Sequence, residues 1–155
     1  MPHQTKHYDY LLSDDPALLE VDAVHAYLAR SYWCENIPRE VVALSLKNSL
    51  CLGIYAPEGE QVGLLRVISD YATFAYLCDV YVLEPHRKLG LATAALQLLQ
   101  THPKLQGLRR FQLITQDAHT LYEKFGFSLI EPAGRHMEKC DRDVYRRQAG
   151  RDAPR

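Results

Sequence analysis

Apolar and polar positions change rhythm several times along this chain, and each change marks an element. His7–Ser13 alternates weakly, as an edge strand would. Asp14 and Asp15 stand ahead of Pro16 as N-cap candidates. Leu18, Leu19, Val21, Val24, Tyr27 and Leu28 then approximate helical spacing and predict a helix to Ser31. Pro38, with Glu40 close behind, opens a second helix that runs through Val41, Val42, Leu44 and Leu46 to Asn48. Strand chemistry follows. Leu50–Ala56 and Gln61–Ala72 flank the turn "PEGE" as a hairpin, and Thr73–Glu84 is the longest β run. Leu91–Thr101 is helical again, and "PKLQG" closes it. Leu108–Thr115 reads as a strand, and Asp117–Phe125 as a short helix capped by Gly126. "FSLIEPAGRHMEK" supplies one or two last strands, and residues 141–155 read as a frayed, flexible tail.

The resulting order, β-α-α-β-β-β-α-β-α-β, predicts one α/β domain over residues 1–140. Its sheet is mixed and mostly antiparallel, with six to seven strands and helices on both faces.

Composition narrows the function classes. At 155 residues, 47% of them hydrophobic, the chain suits a single core. A net charge of −1 gives no global field toward nucleic acid or an anionic membrane, so neither is an expected partner. Four cysteines without a C-x-x-C pair, three of them in apolar surroundings, suit a reducing compartment rather than a disulfide framework. No H-x-x-x-H or H-E-x-x-H pattern occurs, so no metal is expected. The start "MPHQTKHYDY" has no apolar signal core, and the cytoplasm is the expected location.

The candidate chemistry sits at a joint. "PHRKLGLATAALQLL" (Pro85–Leu99) places a basic, proline-led turn between a strand and a helix. A helix start leaves its first N–H groups without partners and carries partial positive charge. Arg87 and Lys88 add to it, and Gly90 and Ala92 keep the surface small, which suits a pyrophosphate. A plain βα turn with solvated basic residues is the alternative. The dinucleotide fingerprint G-x-G-x-x-G is absent.

Arg87-x-x-Gly90-x-Ala92, directly after "VYVLEP", resembles the acyl-CoA signature Gln/Arg-x-x-Gly-x-Gly/Ala of the GNAT superfamily of N-acyltransferases. About thirty residues on, "AHTLYEKFGF" (Ala118–Phe127) is similar to that family's segment A-x-x-L-Y-E-K-x-G-F. The resemblance covers roughly Leu50 to Met137. It implies acetyl-CoA as cosubstrate and a strand pair that splays apart, here Thr73–Glu84 and Leu108–Thr115. It further implies that the pantetheine arm pairs with Val80, Tyr81 and Val82. The pyrophosphate then lies on the turn and its amides, Arg87, Lys88, Leu89, Gly90, Leu91, Ala92 and Thr93. Tyr122 falls on the tyrosine that approaches the thioester sulfur. Many members carry Asn seven residues before that tyrosine, where this chain has Thr115.

Amide formation from a thioester needs a neutral amine, a stabilised carbonyl oxygen and a proton for the departing thiolate. Tyr122 suits the last task; its other reading is a helix tyrosine with its ring in the core. A backbone N–H near Val82 suits the second. For the base, Asp79, Glu84, Asp70 and Glu35 are candidates. Asp79 interrupts an apolar strand, so it is either a base or a structural hydrogen-bond acceptor. Asp70 and Tyr71 suit recognition of a cationic amine, or an ordinary hairpin corner. Tyr32 and Trp33 wall an acceptor pocket, or Trp33 covers the core between two helices. His86 and His119 are further proton-transfer candidates beside the two motifs. Cys78 in an apolar strand is expected to have a raised pKa, which favours direct transfer in a ternary complex over an acyl-enzyme. The expected function is N-acetyltransfer from acetyl-CoA to a primary amine of a small molecule. An acyl-CoA sensor without turnover, and an acetyltransferase acting on a protein amine, are the alternatives. Paired edge strands allow a homodimer.

Overall fold

A computed structural model of the chain describes residues 1–152. Six strands form one sheet in sequence order: β1 (Gln4–His7), β2 (Tyr10–Ser13), β3 (Leu50–Tyr55), β4 (Gln61–Ser69), β5 (Phe74–Val82) and β6 (Arg110–Leu113). All neighbours are antiparallel except β5 and β6, which run parallel. The helices are α1 (Val21–Leu28), α2 (Arg39–Lys47), α3 (Leu91–Gln100), α4 (His119–Glu123) and α5 (Val144–Asp152). Among the described residues no helix is long and apolar enough to cross a membrane.

Strand alternation sends successive side chains to opposite faces and creates two cores. Leu50, Leu52 and Ile54 of β3 join Leu65 and Val67 of β4 beneath Leu91, Ala95, Leu96 and Leu99 of α3. On the other face Cys51 and Leu64 pack with Val24 and Leu28 of α1 and Val42 and Leu46 of α2. The mixed sheet with helices on both faces is as the sequence predicts.

The differences are local. The expected helix from Pro16 to Ser31 breaks into a 3-10 turn at Pro16–Leu18 and a helix from Val21. Glu20 interrupts it because it clamps the start of β4. Its N–H donates to Gln61 Oε1 at 2.8 Å, and its Oε2 accepts from the Gln61 N–H at 2.6 Å. The single N-terminal strand is instead the hairpin β1–β2, turned at Tyr8 with a positive φ of 53°. No strand forms after Phe127 among the described residues; a 3-10 turn at Ala133–Arg135 stands there. Part of the expected tail is helical. Arg147 of α5 pairs with Asp141, and Tyr145 packs against the α1–α2 core. Residues 153–155 of that tail lie outside the described residues.

Two irregularities in β5 position everything that follows. Leu64 pairs with Tyr81 and Arg66 with Cys78, so Asp79 and Val80 together oppose the single residue Leu65, a β-bulge. Asp79 carries the strain, with φ at 52°. Parallel pairing to β6 covers only Phe74–Leu77, and beyond Leu77 the two strands part. This is the splayed pair.

Candidate functional site

Where β5 leaves β6, a groove of about 530 Å³ opens. Val80, Tyr81 and Val82 form one wall, Arg87, Lys88, Gly90, Leu91, Ala92 and Thr93 the next, and Ala118, Leu121 and Tyr122 the third. Of the cofactor-contact residues expected from sequence, only Leu89 does not line it. Leu89 is partly exposed, and its carbonyl accepts from His7 Nε2 at 2.8 Å.

The turn from Glu84 to Gly90 has a built shape. Leu83 N–H donates to Val62 O at 2.8 Å, toward β4, so by strand alternation Val82 faces the open side. Its carbonyl accepts from Arg87 Nε at 2.8 Å, which folds that guanidinium onto the strand end. Lys88 and Gly90 both adopt positive φ, 68° and 75°. Gly90 is the N-cap of α3 and offers no side chain to its first amides. The first intrahelical bond from it runs from Ala94 N to Gly90 O, leaving the N–H groups of Leu91, Ala92 and Thr93 free of helical partners. These amides, the helix dipole and the nearby cations fit a diphosphate. A Cβ on Gly90 would stand 3.4 Å from His7 Nε2.

Tyr122 is held by α4 with only 8% of its surface exposed, edge-on to Phe127 at 5.9 Å. Gly126, at a φ of 89°, ends the helix and returns Phe127 N to Tyr122 O. Burial raises the phenol's pKa, with smaller contributions of the same sign from Asp117 and Tyr32. At neutral pH it is therefore a donor.

Asp79 has both carboxylate oxygens engaged. Oδ2 accepts from Arg66 Nε at 2.7 Å and Oδ1 from Trp33 Nε1 at 2.9 Å. Trp33 thus reaches the β5 bulge from the loop between α1 and α2. Tyr27 of α1 connects it further, stacking on Tyr81 at 3.9 Å and lying 6.1 Å from the indole. Arg66, Tyr27, His7 and Tyr10 were not singled out from sequence. Arg66 had a signal, being the one charge in "QVGLLRVIS" next to a strand whose one charge is Asp79.

Asp70 and Tyr71 are not brought to the groove. They form the β4–β5 corner, at the other end of a nine-residue strand, roughly 25 Å from Val82. Asp70 Oδ1 caps the N–H groups of Ala72, Thr73 and Phe74, and these bonds, led by one from the Thr73 hydroxyl, hold its pKa far below the usual carboxylate range. Tyr71 lies under Lys104 Nζ at 5.2 Å. This is the hairpin-corner alternative, and its cause is the Asx turn. Of the cysteines, Cys34 and Cys51 are buried, Cys78 is half-buried and Cys140 exposed, all as free thiols. Burial pushes the Cys78 thiol up to about 12.

The family model described as the Acetyltransferase (GNAT) family matches residues 11–127. The chain belongs to the GNAT family of acetyltransferases. A curated protein of Gibberella zeae, named "Putative acetyltransferase", is 39% identical over 138 residues, covering 75% of this chain and 77% of its own. A crystal structure from Xanthomonas campestris pv. campestris, of a "putative acetyltransferase belonging to the GNAT family", is 42% identical. It superposes with a TM-score of 0.85 over 88% of this chain and 96% of that one. A more distant structure, Rv2747 of Mycobacterium tuberculosis in complex with CoA and NLQ, is 19% identical, with a TM-score of 0.60 over 77% of this chain and 72% of its own. As a GNAT acetyltransferase the chain is an acyltransferase enzyme, and its family uses acetyl-CoA.

Proposed function

We propose that this GNAT domain, residues 1–140, moves an acetyl group from acetyl-CoA to a primary amine of a small molecule, in one ternary complex. The observation that carries the reading is the single groove that holds the open end of β5, the free amides of α3 and the protonated Tyr122. In this reading Leu91, Ala92 and Thr93 N–H groups, with Arg87 and Lys88, hold the diphosphate, and the open side of Val80–Val82 takes the pantetheine arm. Acetyl-CoA supplies an acyl group already activated as a thioester.

The protein's own groups then divide the work. Val82 N–H, on the side of β5 without a strand partner, is placed to stabilise charge building on a carbonyl oxygen. Tyr122 holds a proton on its phenol through neutral pH, available to sulfur as it departs. Trp33, with Tyr32, stands on the acceptor side. Asp79 is committed to Arg66 and Trp33, which supports the structural-acceptor role. The high thiol pKa of Cys78 supports direct transfer.

The test is incubation with acetyl-CoA and a panel of amines, antibiotics and peptides, read by mass spectrometry of the products. An N-acetylated small amine is the expected result. Calorimetry without affinity for CoA, or turnover restricted to protein amines, overturns the reading.

A further inference from the structure

The α1–α2 loop, residues 29–38, carries the aromatic side chains on the acceptor side, yet little burial holds its apex. Ser31, Cys34 and Ile37 are buried at its base, whereas Tyr32 is 68% and Trp33 41% exposed. Tyr32 meets Trp33 edge-on at 5.1 Å, and the indole lies 6.1 Å from Tyr27, which lines the groove. The loop therefore adjoins the groove through Tyr27. Its backbone bonds lie at its two ends: Arg30 N to Tyr27 O at 3.2 Å and Ser31 N to Leu28 O at 3.0 Å on one side, and Asn36 N to Ala29 O at 2.9 Å and Ile37 N to Cys34 O at 3.1 Å on the other, with Cys34 N donating to Ser31 Oγ at 3.3 Å and Asn36 in the left-handed region at φ 66°.

What reaches the apex is Asp79. The indole N–H donates to one oxygen of a carboxylate only 9% exposed, whose other oxygen is fixed by Arg66, itself 15% exposed. Arg66 Nη1 continues to Ser49 Oγ at 3.0 Å, and Ser49 Oγ donates to Ser45 O at 2.7 Å at the end of α2. The chain of bonds thus runs from α2 through β4 and the β5 bulge to the loop. A neutral donor on a charged, desolvated acceptor makes a strong hydrogen bond. The bulge gives the bond its direction, because only the positive φ of Asp79 departs from regular strand geometry there.

We propose that Asp79 is a positioning residue whose carboxylate latches the Trp33 indole and so fixes the aromatic α1–α2 loop as the acceptor wall beside the bulge. The word acceptor rests on the acetyltransfer reading; the latch itself does not. Sequence alone left Asp79 between base and structural acceptor, and the geometry gives that second role a task at the site.

Trp33 is the sole tryptophan, so its fluorescence reports the latch directly. Removing Asp79 alone would strand the Arg66 charge, so the variants are paired. Arg66→Met with Asp79→Asn keeps an oxygen for the indole; Arg66→Met with Asp79→Leu removes it. The Asn pair is expected to retain wild-type acrylamide quenching of Trp33 and wild-type hydrogen exchange at Cys34, Asn36 and Ile37. The Leu pair is expected to exchange those amides about tenfold faster, the loss of one strong hydrogen bond, with a clear rise in quenching. Both are expected to bind CoA as the wild type does. Equal quenching and exchange in the two pairs, whether both held or both released, overturns the latch. Trp33→Phe gives a second arm should a pair fail to fold. It is expected to speed the same amides about tenfold and to raise KM, more than it lowers kcat, for the best amine of the panel. Unchanged exchange in Trp33→Phe overturns the proposal. Absence of CoA binding in the wild type would remove acetyltransfer while leaving the exchange result to stand.

Discussion

The Tyr10 hydroxyl lies 2.7 Å from His86 Nδ1, joining the second strand of the N-terminal hairpin to the turn that starts the proposed diphosphate cradle. His7 Nε2 makes a second tie, to the carbonyl of Leu89. The turn between β5 and α3 is thus braced from outside at two points, seventy-six and eighty-two residues away in sequence. Loss of either tie is expected to loosen the cradle without unfolding the sheet. Tyr10→Phe and His7→Ala should each weaken CoA binding about three- to tenfold by calorimetry, with the melting temperature nearly unchanged.

Gly90 is asked for a left-handed backbone and a free path to the first amides of α3. Alanine there is strained by about 1 kcal/mol and brings a methyl group against His7. Gly90→Ala should lower CoA affinity by about tenfold. Gly126→Ala, with nothing near its Cβ, should lower stability by a similar amount through its own positive φ but leave CoA affinity alone.

Tyr122→Phe keeps the buried ring and removes the proton. Turnover should fall about 10²-fold or more while CoA affinity stays within about twofold. Because burial raises the phenol's pKa above its ordinary value, loss of the protonated form should not limit the rate through the neutral and mildly alkaline range. A basic limb near neutrality that vanished in Tyr122→Phe would contradict this.

The thiols give a pH prediction with a definite sign. Burial raises Cys34 to about 11 and Cys51 and Cys78 to about 12, from an ordinary 9.0. The unfolded chain releases these protons first, so their stabilisation is complete below about pH 9 and is lost as pH climbs through the folded values. Melting temperature should therefore decline from pH 9 toward 11. At pH 8 a thiol reagent should modify exposed Cys140 fast and the other three slowly.

Gly63 lets β4 approach the bulged strand. A Cβ there would lie 2.8 Å from Tyr81 O, a backbone atom that cannot move aside cheaply. Gly63→Ala should destabilise by about 1–3 kcal/mol in denaturant titration, and it should also disturb the open edge of Val82 opposite it.

Alternation and periodicity made β3, β4, β5, α2 and α3 readable to within a few residues, because each buries one face or stripe against a single layer. They could not register contacts made across the fold. Glu20 has helical neighbours in sequence, but its reciprocal bonds with Gln61 take it out of the helix. Tyr8 carries no glycine signal for the hairpin turn it makes. The turn from β5 into α3 was legible because glycine, basic residues and helix start are local in sequence. The Asp79–Trp33 bond joins residues forty-six apart, through a conformation that residue type does not announce. Asp70 and Tyr71 were misplaced for a simpler reason: adjacency to a strand says nothing about which of its ends bears the chemistry.

The bulge also divides β5 into two differently indexed halves. Ala75 and Leu77 face the α3 layer, and so do Val80 and Val82, an odd run followed by an even one. Excising Asp79 itself would leave Val80 and Val82 on that layer in unbroken alternation, whereas excising or adding a residue on either side of the bulge would turn part of the strand inside out and present its side chains to the wrong layer. Insertions or deletions on either side of the bulge should therefore be far less tolerable than substitutions, since the chain counts through this strand as well as packs around it.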